Sequence, residues 1–128
     1  MRSTYAIHGG IHPNEAKALA TPGKVLDAGI PDKLVLPLSQ HIGRQPEVVV
    51  SVGESVKGGQ VLALAEGPMS VSLHAPTSGV ITAIEDRSVP HPSGMTNRCI
   101  ELQCDGEDDW LAFTGITDWR AADRTELI

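Results

Sequence analysis

Apolar residues fall in short runs along this chain, and glycine, proline and small polar residues separate the runs. Residues 48–52 (Val48-Val49-Val50-Ser51-Val52) are β-branched and predict a strand. Gly53-Glu54-Ser55 reads as a turn, Val56 as an apolar anchor, and Lys57-Gly58-Gly59 as a second turn. A strand is predicted over residues 60–65 and is broken by Gly67-Pro68. Another covers 71–74 and ends in the turn Ala75-Pro76-Thr77-Ser78-Gly79. Residues 80–85, with Val80, Ile81, Thr82 and Ile84, predict the next strand. Pro90, Pro92 and Gly94 make 88–97 a loop, and 99–104 is a last strand ended by Asp105-Gly106. Short strands between turn signals predict a small all-β sandwich or barrel.

The flanks lack this rhythm. Residues 1–33 show no sustained period and are punctuated by Pro13, Pro22 and Pro31. Pro13 followed by good helix formers predicts a short helical turn at 14–20. The run 33–36 is stopped by Pro37, which suits an edge strand. Asp118 can cap a short helix over 119–127. Three segments follow: an extended N-terminal arm packing on the body (1–47), the sandwich (48–104) and a C-terminal extension (105–128).

Composition adjusts this picture in a few places. The length of 128 residues suits one domain. With one Phe, one Tyr and two Trp, the core must come mainly from Val, Leu, Ile and Ala. The formal charge is −6 and no basic stripe interleaves with aromatics, which argues against nucleic-acid binding. The acidic residues in 101–109 read as a solvated turn. No apolar run approaches the ~20 residues of a membrane span, and no secretory leader opens the chain, so a soluble cytosolic piece is expected. Cys99 and Cys104 are five apart on one predicted strand. They should face opposite ways, one in and one out, without a disulfide.

Two motifs carry more. Val52-Gly53-Glu54-Ser55-Val56-Lys57-Gly58-Gly59-Gln60-Val61-Leu62 resembles the first half of a biotinyl/lipoyl domain, and His74-Ala75-Pro76-Thr77-Ser78-Gly79-Val80-Ile81 resembles the second. Gly53 and Gly59 permit positive φ in the turns, Val56 can plug the sandwich end, and Gly79 lets a strand start without a Cβ clash. The expected fold is an all-β barrel-sandwich hybrid, with the extended arm and the short C-terminal helix attached. Carrier domains present a lysine seven residues before the Ala of the second half. Counting back from Ala75 gives Pro68, and no lysine follows Lys57. An amide-linked arm needs a primary amine, so this hairpin carries none.

Gly9-Gly10-Ile11-His12-Pro13, Pro37-Leu38-Ser39-Gln40-His41-Ile42-Gly43, the two half-motifs and His91-Pro92-Ser93-Gly94 occur in order. The series resembles the N-terminal domain of the C subunit of the Rnf (or Rsx) electron-transport complex, over about residues 7–119. Ile7-His8 and Arg44 depart from the usual Phe-Lys and small residue of that family. The resemblance implies a scaffold or docking module of an NADH-oxidising subunit, peripheral on the cytoplasmic side of the bacterial inner membrane. It implies electron transfer between NADH and ferredoxin coupled to ion translocation. FMN and [4Fe-4S] clusters would sit in a C-terminal part absent from this chain, which reads as a piece of a longer protein. Partners would be the other Rnf subunits and the flavin/NADH domain of the same subunit. The alternatives are the related N-terminal domain of the A subunit of the sodium-pumping NADH–quinone reductase and a stand-alone biotinyl/lipoyl-like interaction domain.

Candidate chemistry in the chain itself is sparse, and we assign no catalytic, cofactor-binding or metal residue. His12, His41, His74 and His91 sit beside Gly or Pro without zinc-site spacing, and they read as loop residues hydrogen-bonding backbone. Gly9-Gly10 lacks the strand and helix of a phosphate loop. Thr77 and Ser78 lack a His–Asp partner and read as turn residues. Trp110 and Trp119 are expected to cover the barrel or a neighbouring domain.

Overall fold

Two antiparallel sheets carry the fold in the computed structural model, which describes residues 14–19, 21–116 and 118–123. In chain order the strands are β1 (Lys33–Pro37), β2 (Glu47–Val48), β3 (Ser55–Val56), β4 (Val61–Leu64), β5 (Leu73–His74), β6 (Gly79–Ser88) and β7 (Thr96–Cys104). One sheet has the order β1-β7-β6-β3, the other β2-β4-β5. β1 is an edge strand, and Pro37 ends it opposite Cys99.

Between the sheets lies an aliphatic core of Leu38, Val50, Val56, Leu62, Ala63, Ala75, Ile81, Ile100 and Leu102, as the scarcity of aromatics demands. Strand periodicity alone would place Ile81 and Ile84 on opposite faces, yet both pack on this core. The register shift between Ile81 and Ala83 resolves the conflict. An extra residue, Thr82, restores Ile84 to the inner face. Val56 is 3% exposed and plugs the sandwich as expected.

The run 48–52 is a strand only at its start. β2 belongs to the second sheet and β3 to the first, so residues 49–54 must turn a corner between them. Val50 remains buried there while Val49 and Val52 face out. The β6–β7 ladder extends past the apolar positions to Ser88 and Thr96, so the loop shrinks to residues 89–95. A short 3-10 helix, Lys17–Leu19, matches the turn expected at 14–20. Described residues up to Lys33 are exposed, and firm packing of the arm begins at Leu34.

The helix expected over 119–127 is, in its described part, a single turn at 118–121. Asp118 does cap it, accepting the Arg120 N–H at 3.1 Å. Trp119 is 58% exposed, however, and a short helix without a buried face is marginal in water. Residues 124–128 lie outside the described residues, as do Gly9, Gly10 and His12.

Candidate functional site

The chemistry of this fold is concentrated at its two ends. The first is the β4–β5 hairpin, where a carrier domain would show its lysine. Gly67 takes φ +83 and Pro68 occupies the carrier position. A loop from the arm, residues 40–45, lies over this hairpin. The Val71 N–H donates to Nε2 of His41 at 3.1 Å, which leaves the ring proton on Nδ1, 3.2 Å from the Ile42 carbonyl. The Arg44 N–H donates to the Met69 carbonyl at 3.3 Å, and the Arg44 guanidinium pairs with Glu66. Gly43 has φ +122, and a Cβ there would collide with the Met69 carbonyl oxygen. Only glycine fits such an approach. Gln45 Nε2 donates to Asn97 Oδ1 at 3.0 Å, fastening the same loop to β7. The hairpin tip is thus pinned, and its exposed side chains include the apolar Met69 and Val71, with Ile42 beside them.

At the opposite end the C-terminal extension forms a strap over the Lys57-Gly58-Gly59 turn. The Gly58 N–H donates to the Asp109 carbonyl (2.8 Å), and the Leu111 N–H donates to the Gly58 carbonyl (3.0 Å). Lys57 Nζ pairs with Asp109 at 2.8 Å. Trp110 lies against Gly58, where a Cβ would fall 2.6 Å from the indole. Phe113 caps Gly59, whose φ is +79. The two rings meet edge to face at 6.3 Å. Thr77 and Ser78, nearly fully buried, fasten the strap. Thr77 Oγ1 donates to Asp108 (2.8 Å) and Ser78 Oγ to Asp105 (2.7 Å), while the Asp109 N–H donates to Ser78 Oγ (2.9 Å). The Ser78 hydroxyl, and then the Glu107 N–H, hold the Asp105 carboxyl below its ordinary value. These hydroxyls are anchors, and their carboxylate partners come from a segment the turn itself does not contain.

Glu101 departs from the solvated turn expected of the acidic residues. It lies on β7 and is 7% exposed. Lys33 from β1 (2.9 Å) and Arg87 from β6 (2.8 Å) pair with it, and Thr82 donates to it at 2.8 Å. Hydrogen bonds from Lys33 and Thr82, with the nearby positive charges, pull its carboxyl below the ordinary glutamate value. The sequence signal was its place in a strand flanked by apolar Ile100 and Leu102, both fully buried.

The remaining candidates fall apart in space. His41 and His91 bond to loop atoms, the latter accepting the Ser93 N–H at 3.2 Å. His74 is exposed on β5. Among the described residues no group of three or more His, Cys, Asp or Glu is placed to hold a metal ion. Both cysteines are free. Cys104 packs on the core but is only half-buried, while Cys99 lies outside that cluster and is the more covered at 1% exposure, so "one in, one out" holds for the faces but not for solvent. Burial pushes both thiols up. Two such thiols on opposite faces do not fit a [4Fe-4S] cluster. No helix among the described residues is long and apolar enough to cross a membrane.

Comparison with known proteins adds a lineage to this geometry. Residues 5–107 match the family model described as the RnfC barrel sandwich hybrid domain. A Serratia proteamaculans protein, named as the C subunit of an ion-translocating oxidoreductase complex, is 42% identical over 120 residues, 94% of this chain and 17% of its own length. A protein of the same name from Vibrio cholerae is 47% identical over 112 residues, 88% of this chain and 14% of its own. A Yersinia enterocolitica protein of that name is 42% identical over 120 residues, again 94% of this chain and 17% of its own. The chain therefore spans about a sixth of the length of the curated relatives it matches.

Proposed function

This chain belongs to the RnfC barrel-sandwich hybrid family, and on that premise we propose that it is the scaffold and docking module of the C subunit of an ion-translocating oxidoreductase complex. The observation that carries this reading is the pinned hairpin. The position that would carry a prosthetic arm is Pro68, and a loop from the arm clamps the tip through His41, Gly43 and Arg44. A swinging arm needs an amine and a mobile tip, and this tip offers neither. What the domain does offer is a rigid body with apolar residues at both ends.

In the finer reading the whole subunit oxidises NADH and passes electrons toward ferredoxin on the cytoplasmic side of the bacterial inner membrane. FMN and iron–sulfur clusters would belong to its other domains, and this domain would contribute binding to neighbouring Rnf subunits. The relatives described above are named as C subunits, which favours this over the A subunit of the sodium-pumping quinone reductase.

Two measurements test it. The purified 128-residue chain is scanned for visible absorbance and titrated with FMN and NADH. A flavin spectrum or saturable NADH binding defeats the redox-silent part. The chain is also mixed with membranes containing or lacking the complex's membrane subunits. Retention only where those subunits are present supports docking, and equal retention on both membranes sinks it.

A further inference from the structure

We propose that the aromatic strap at the Lys57-Gly58-Gly59 end is the face by which this domain packs on the remainder of its own subunit, against an apolar groove rimmed by lysine or arginine. The inference rests on the docking reading above and names the surface and its partner.

The strap's inner side is chemically complete. Backbone bonds tie Gly58 to Asp109 and Leu111, Lys57 pairs with Asp109, and the indole N–H of Trp110 donates to Asp108 at 2.8 Å. Its outer side is bare. Trp110 is 47% exposed and Phe113 65%, and the apolar series continues through Ile116, while Trp119 carries the Arg120 guanidinium over its ring at 4.4 Å. Beside Trp110 a groove runs between strap and arm, lined by Ile30, Pro31 and Pro76. Aromatic rings seated on one side and open on the other are among the residues that dominate the buried centres of interfaces. The hairpin end has exposed apolar residues too, but they are aliphatic tips beside the Arg44–Glu66 ion pair.

Charge identifies what covers the strap. Residues 105–115 hold four carboxylates, Asp105, Glu107, Asp108 and Asp109, and no cation. Of the neighbouring cations, Lys57 is already committed to Asp109, and Arg120 lies over the Trp119 ring. A complementary rim is therefore basic. A second copy of this chain in a twofold arrangement would set the same acidic strip against itself, and like charges across an interface are costly. The relatives supply the other candidate. The matched piece is 14–17% of their length, so most of each polypeptide lies beyond it, tethered at high effective concentration.

The experiment compares backbone amide exchange in the 128-residue chain and in the whole subunit from the same organism. Exchange over residues 108–113 should slow at least tenfold in the whole subunit. The variants Glu107→Lys and Ile116→Asp, both at exposed side chains, should each abolish most of that protection while leaving the melting of the isolated chain unchanged. Protection confined to residues 40–45 and 66–71 would overturn this face yet leave the docking reading standing. No protection anywhere in the domain, with no retention by the membrane subunits, would remove both. Protection at 108–113 in the isolated chain that rises with concentration, with a dimer mass, would overturn the proposal in favour of a second copy.

Discussion

At the hairpin end, a loop is held over a turn by hydrogen bonds and an ion pair that water can reach. At the strap end, hydroxyls buried under the barrel grip a passing segment, and two aromatic rings seal two glycines. The obstacles also differ in kind. A side chain at Gly43 would meet the Met69 backbone, which cannot step aside, whereas one at Gly59 would meet the Phe113 ring, which can swing. Backbone bonds tie down both segments, but the obstacle to an added methyl is main chain at one end and a side chain at the other. A surface that must adapt to a partner is better made from the second, because rings can repack while two backbones in close approach cannot.

The sharpest way to break this contrast is to add one methyl group at each end. Gly43→Ala should cost about 2–4 kcal/mol, since left-handed φ and a backbone clash act together. Thermal unfolding and accelerated amide exchange over residues 66–72 would register it. Gly59→Ala should cost less, about 1–2 kcal/mol, and change Trp110 emission as Phe113 moves. Equal losses at the two sites would erase the distinction.

Ser78→Ala should come next, at about 1–2 kcal/mol for the buried hydroxyl's two bonds, read from denaturant midpoints. It also sharpens the contrast through pH. The folded chain binds the ionised Asp105 more tightly, so that support is present above the ordinary aspartate value of 3.8 and is lost as pH falls through the lower folded value. The wild-type strap should therefore loosen in acid, with faster exchange over residues 105–111. Ser78→Ala should show a shallower acid dependence, because the largest cause of the shift is gone. Glu101 follows the same sign, its contribution being lost as pH falls below the ordinary 4.5. Because it joins β1, β6 and β7, Glu101→Gln should flatten acid unfolding of the sheet as a whole, seen in far-UV circular dichroism, and favour neither end. The smallest effect should be Arg44→Ala, under about 0.5 kcal/mol, since its ion pair is solvated. A larger loss would mean that the ion pair, and not Gly43, closes the hairpin end.

Much of this architecture was legible from residue order. β4 and β7 follow from short runs between turn residues and β6 from a β-branched one, and the special glycines at 53, 59 and 79 were readable because each sits where a turn or a strand start needs one. What was not legible depends on partners distant in sequence. Val48-Val49-Val50 looks like a continuing strand, but only the switch of sheets reveals the corner. Glu101 reads as one more acid before a turn until β1 brings Lys33, two residues from its register partner Val35, within reach. Thr77 and Ser78 look like turn formers, and their true work needs Asp105 and Asp108 from beyond β7. The Gln40-His41-Ile42-Gly43 string was recognisable as a resemblance, while its contact with the hairpin was not. Arg44, which follows that string, supplies the ion pair to Glu66.

The Cys104 N–H donates to the Asp32 carbonyl at 2.9 Å, and Gln103 Nε2 reaches the same oxygen at 2.7 Å. The polypeptide thus enters the barrel and leaves it through adjacent doorways, seventy-odd residues apart in sequence. Such a body is a pendant, able to hang from a longer molecule by a double stalk without stretching it. Whatever flanks it is drawn toward the strap, and the hairpin with Pro68 points to the far side, free to meet something else.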